Sequence, residues 1–129
     1  MIHSVGTDIL AFSRMRELPQ DDAFIRRAFT EKERAEIFSR EDPQRCLAMR
    51  FSAKEAIFKS LRMNPDRARL NEIEILSNEY GAPYVTLLGS MVDIASEMGV
   101  VRVHLSMSWE TDYALAFAVS ECADAPAEK

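Results

Sequence analysis

"VVRVHLSMSWETDYALAFAVS", residues 100–120, contains two stretches of alternating side chains with a short polar link between them. In the first stretch Val101, Val103, Leu105 and Met107 share a face. In the second, Tyr113, Leu115, Phe117 and Val119 do the same. A period of two is the mark of a half-buried strand. The link Trp109, Glu110, Thr111, Asp112 is short enough to make the pair an antiparallel hairpin. This hairpin sets the fold class, because the rest of the chain has to cover it.

A second hairpin precedes the first. "LNEIEILS" offers Leu70, Ile73 and Ile75 as strand positions, "SNEYGAP" carries turn residues, and "YVTLL" returns. Between the hairpins, "SMVDIASEMG" predicts a short helix with Met91, Ile94, Ala95 and Met98 on one side and Gly99 as its stop. At the other end of the chain, "MIHSVGTDIL" reads as a strand ending in a turn, with "GTD" at the strand end. Residues 13–29 have a helical pattern that Pro19 interrupts. Thr30 and Glu33 fit a capping box, so a helix starts there, and Pro43 is expected to stop it. Residues 44–62 form the longest predicted helix, with no internal Gly or Pro, and "MNPDRARL" follows as a loop. The expected architecture is α+β, with helices packed on one side of a mainly antiparallel sheet. One domain spans 1–120, and 121–129 form a frayed tail.

Bulk properties narrow the function. A chain of 129 residues with 47% hydrophobic and 29% charged content builds one core. A net charge of −5 argues against nonspecific nucleic-acid binding. No apolar run approaches the ~18 residues of a membrane span. The first residues lack the pattern of a signal peptide. Cys46 and Cys122 have neither metal-ligand spacing nor disulfide density, so a reducing cytoplasm is the simplest setting.

The charge is uneven. Arg45, Arg50, Lys54, Lys59 and Arg62 accompany a single acid, Glu55, which suits an anionic ligand or a plain solvated face. His3 and His104 share no metal-binding spacing and read as strand residues. No nucleophile elbow, P-loop or dinucleotide fingerprint is present. The remaining chemistry lies in "GTD" and "KEAIFK". Glu55 and Lys59 are four apart and share a helix face. Gly6 lets backbone approach a ligand near Asp8. The bland reading is an exposed ion pair, with Asp8 capping a helix. In the other reading the strand docks beside the helix and two carboxylates converge. Their repulsion then needs a shared proton, Lys59 or a divalent cation, and two carboxylates with open positions describe a Mg²⁺ site.

"VGTDIL", "FTEKE", "RFSAKEAIFKSL", "NEIEILSNEYGAPYVTL" and "VRVHLSMSWETDYALAFAV" occur in an order that resembles the holo-acyl-carrier-protein synthase family of 4′-phosphopantetheinyl transferases. The likeness covers nearly the whole chain. It implies a transferase-like fold and transfer of 4′-phosphopantetheine from coenzyme A to a serine of an acyl carrier protein. It also implies Mg²⁺ held by Asp8 and Glu55, and Lys59 near the phosphate under attack. Arg50, Lys54, Ser108 and Trp109 are the further coenzyme-contacting candidates, and Arg14 would meet the acidic carrier. A homotrimer is implied, with the coenzyme site at the junction between protomers. The chain departs from the family at Arg62–Pro65, in place of a Gly-Thr-Gly loop, and at Phe58. It departs again at Trp109 and Glu110, in place of a His-Thr pair. The rival expectation is a trimeric relative that binds coenzyme A or a carrier without catalysis.

Overall fold

The computed structural model describes residues 1–15 and 18–124. Its elements are β1 (Ile2–Ala11), α1 (Ala23–Ala28), α2 (Glu31–Phe38), α3 (Pro43–Leu61), β2 (Ile73–Ser77), β3 (Pro83–Leu87), α4 (Gly89–Glu97), β4 (Val100–Glu110) and β5 (Tyr113–Cys122). One sheet has the order β1-β5-β4, the other pairs β2 with β3, and every pairing is antiparallel. α3 covers one face of the larger sheet, so the fold is the expected α+β arrangement. Among the described residues no helix is long and apolar enough to cross a membrane.

The β4–β5 hairpin forms where its alternation places it, with Glu110 opposite Tyr113. The face of β5 that meets α3 is its small one. Ala114, Ala116, Ala118 and Ser120 are buried, while Tyr113, Leu115 and Phe117 are exposed. Small side chains let the helix lie close to the sheet, and α3 answers with its own buried Ala53 and Ala56. Val101 does not share the face of Val103, Leu105 and Met107. The β4–β5 register shifts between Val100 and Arg102, which buries Val100 and turns Val101 outward at 63% exposure.

Gly6 has a different role from the expected one. A Cβ there would lie 2.1 Å from the Ala56 carbonyl oxygen and 2.7 Å from the Ser60 nitrogen. The backbone that approaches Gly6 belongs to α3, not to a ligand.

The capping box of α2 is present: Thr30 Oγ1 accepts from the Glu33 amide, and Glu33 Oε1 accepts from the Thr30 amide. Pro43, expected to stop α2, instead opens α3. Asp42 caps α3 by accepting from the Arg45 amide, and a proline at the first helical position loses no hydrogen bond. α3 ends at Arg62, whose backbone is left-handed at φ 57°. The loop after α3 folds into two short 3-10 turns, Pro65–Arg67 and Leu70–Glu72. β5 runs on through Glu121 and Cys122, past the expected boundary at 120, and residues 125–129 of the expected tail lie outside the described residues. Cys46 and Cys122 are free thiols.

Candidate active site

Asp8 lies inside β1, which continues to Ala11, so it neither ends the strand nor caps a helix. Its backbone carbonyl accepts from Ser52 Oγ at 3.1 Å, a bond that ties β1 to α3. Lys59 Nζ crosses the same seam to donate to Asp8 Oδ1 at 3.2 Å and to the Thr7 carbonyl at 3.1 Å. The Asp8 side chain is 16% exposed and that of Lys59 48%, so the pair opens to solvent on one side. Glu55 is one turn back from Lys59 on α3 and half-buried. Burial raises its carboxyl above the ordinary carboxylate range, the Asp8 charge raises it further, and Lys59 opposes both.

The arrangement therefore brings Asp8, Glu55 and Lys59 together. Two carboxylates share one ammonium, and a second positive charge at this point would relieve their repulsion. Both donors are hard oxygens. Among the described residues no third His, Cys or carboxylate joins them. A cation here would keep positions for water and phosphate oxygens, which suits Mg²⁺ and not a closed all-protein site.

Two of the anion-binding candidates are elsewhere. Lys54 is fully buried and donates to Glu33 Oε1 at 2.8 Å, to the Leu70 carbonyl at 2.8 Å and to the Ile73 carbonyl. Its three protons are thus engaged inside the protein. Arg50, also buried, bonds Glu36, Ser77 and the Ile75 carbonyl. Both residues pin α3 to α2 and β2, so the basic run from Arg45 to Arg62 is not one solvated face.

Ser108 is on the outer face of β4, opposite Leu115. Trp109 is on the inner face opposite Ala114, with the Arg45 guanidinium 4.3 Å above its ring and Phe12 at 6.3 Å. It borders a cavity of about 340 Å³ that Arg40, Arg45, Met49 and Met107 also line. Asp8 and Met107 both pair with Ala116, so β5 separates them. The carboxylate pair therefore occupies the β1 flank of α3, and the Trp109 cavity occupies the β4 flank. Arg14 is exposed in the 3-10 turn after β1.

Sequence reasoning missed the outer face of the three-stranded sheet. Val5 (47% exposed), Ile9 (65%), Tyr113 (52%), Leu115 (46%) and Phe117 (43%) form one apolar surface there. Pairing makes it continuous: Val5 faces Val119, and Ile9 faces Leu115. The available signal was the unbroken apolar run of β5, which leaves neither face polar.

The sequence profile of the 4′-phosphopantetheinyl transferase superfamily matches residues 4–118. A holo-[acyl-carrier-protein] synthase of Caldanaerobacter subterraneus is 40% identical over 117 residues, which is 90% of this chain and 92% of that one. The crystal structure of the holo-[acyl-carrier-protein] synthase of Neisseria meningitidis superposes with a TM-score of 0.84 at 35% identity, covering 94% of this chain and 99% of that one. A coenzyme A complex of the Chronobacterium ammoniagenes synthase superposes with a TM-score of 0.80 at 26% identity, covering 94% and 98%.

Proposed function

The chain belongs to the 4′-phosphopantetheinyl transferase superfamily, and from that premise we propose that it moves the 4′-phosphopantetheine arm of coenzyme A onto a serine of an acyl carrier protein. The observation that carries this reading is the meeting of Asp8, Glu55 and Lys59 across the β1–α3 seam. Phosphoryl transfer asks a protein for positioning and charge neutralisation more than for covalent chemistry.

Asp8 and Glu55 are the residues that would hold Mg²⁺. When bound, the ion supplies charge stabilisation to the pyrophosphate oxygens. Lys59, half exposed and tethered to β1, presents its ammonium to the phosphate under attack. Glu55, or a water it orients, is the candidate to receive the serine proton, although a bound cation would lower its basicity. Arg14, exposed beyond the end of β1, supplies positive charge to an acidic carrier.

The working form in this proposal is a cytoplasmic homotrimer. The apolar outer face of the sheet supports self-association, since such a surface on one chain marks an interface. The Trp109 cavity and the carboxylate pair occupy opposite flanks of α3. A coenzyme that used both would bridge two copies.

The test is incubation with coenzyme A, Mg²⁺ and a panel of apo acyl carrier proteins. A mass gain of one phosphopantetheine group on a carrier is the expected result. Calorimetric binding of coenzyme A with no transfer to any carrier would favour a binding protein instead.

A further inference from the structure

Arg62 occupies a backbone position that disfavours it. It ends α3 in the left-handed region at φ 57°, where glycine is the usual residue. Its side chain has one structural contact, with Ser4 on β1. The residue is exposed and adds nothing to the core. The Leu61 carbonyl at the end of α3 is already partnered by His3 Nε2 at 3.0 Å. Among the described residues no carboxylate pairs with Arg62. The bond its side chain makes is from Nε to the hydroxyl of Ser4, at 2.8 Å.

That bond fixes a direction. Ser4, Gly6 and Asp8 are successive inner-face positions of β1, and α3 runs alongside them. Lys59 reaches β1 at Thr7 and Asp8, and Arg62 reaches it at Ser4. With Nε held on Ser4, the two terminal nitrogens of the exposed guanidinium have no partner among the described residues. The positive charge thus continues from Lys59 along the seam, over a stretch of strand about 13 Å long. A rigid fork of free N–H donors beside an ammonium is suited to phosphate oxygens.

We infer that Arg62 binds a phosphate of the coenzyme beyond the one that Lys59 faces, and that this contact accounts for an arginine at a position where glycine fits better. The inference rests on the transferase reading of the Asp8–Glu55–Lys59 site and adds a substrate-binding residue to it.

The experiment compares wild type with Arg62→Gly and Arg62→Lys. Arg62→Gly relaxes the backbone, so its melting temperature stays level or rises. Coenzyme A binding, measured by calorimetry, weakens about tenfold, the loss of one charge-assisted contact. In turnover the KM for coenzyme A rises while kcat and the KM for the carrier hold, and Arg62→Lys recovers part of the loss. Dephospho-coenzyme A identifies the phosphate. A penalty that persists with it assigns Arg62 to the pyrophosphate, and one that vanishes assigns it to the 3′-phosphate; either supports the inference. Equal coenzyme affinity in wild type and Arg62→Gly overturns it, as does a loss confined to the carrier's KM. A wild type that neither binds nor turns over coenzyme A overturns the transferase reading, and this inference with it.

Discussion

Lys59 on α3 donates to the Asp8 carboxylate on β1 at 3.2 Å, so the residue most exposed in the site is also the one that holds its two walls in electrostatic contact. The contact is open to solvent and contributes little to folding, of order 0–1 kcal/mol. So weak a contact leaves Lys59 free to turn to the phosphate proposed for it.

Asp8→Ala should therefore leave the fold in place and remove the chemistry. Transfer to a carrier is expected to fall about 100-fold or more, because one of the two oxygen donors proposed for the cation is gone. Circular dichroism and melting temperature should match the parent. A well-folded Asp8→Ala protein with full activity would remove the metal assignment.

Lys54 and Lys59, five residues apart on one helix, should behave in opposite ways. Lys54→Ala strands the buried Glu33 carboxylate, and breaking a buried pair costs about 3–5 kcal/mol. Replacing both partners together with apolar residues should recover most of that stability. Lys59→Ala should unfold no earlier than wild type yet lose transfer. Denaturant melts and activity assays on the three variants separate the roles.

Glu36 predicts an acid transition. Burial pushes its carboxyl up, but the Arg50 hydrogen bond, the Ser77 amide and the charges of Arg50 and Arg40 overrule burial and hold it below its ordinary value of 4.5. The unfolded chain then binds the proton more tightly than the folded one. The stabilisation is complete above the unfolded value and drains away as pH falls through the folded one, from about pH 5 downward. Glu36→Gln should flatten that part of the stability–pH curve, measured as urea midpoint against pH.

Phe117→Lys addresses assembly. Phe117 projects from the centre of the apolar sheet face, away from the core, so the substitution leaves the monomer's packing alone. Sedimentation should show wild type associating and Phe117→Lys as a monomer, with transfer lost although Asp8, Glu55 and Lys59 are untouched. A fully active monomer would sink the shared-site proposal.

Much of this was legible in the residues. The capping box at Thr30 and Glu33, the two hairpins and α4 follow from local pattern, which needs no partner to be read. Glu55 and Lys59 fall on one helix face by spacing alone. What pattern could not give was which side of a strand faces in. β5 is apolar on both sides, and the alanines win the interior because α3 must lie close. Val101 turned outward because a register shift resets the alternation, and nothing local encodes it. Lys54 and Arg50 looked like ligands because charge counting ignores where counter-charges lie. Their partners Glu33 and Glu36 also sit one helical turn apart, on α2, and that matched spacing was the missed clue. Pro43 is ambiguous in the sequence because a proline closes one helix and opens the next with equal ease.

Gly6 carries a last consequence. Its missing side chain sets how near β1 rests on α3, and Asp8 and Glu55 ride on those two elements. The gap between the two acids therefore depends on backbone packing as well as on their rotamers. Any side chain larger than hydrogen at position 6 would lift the strand from the helix and carry the two acids apart, so the spacing of the pair is set two residues away from it.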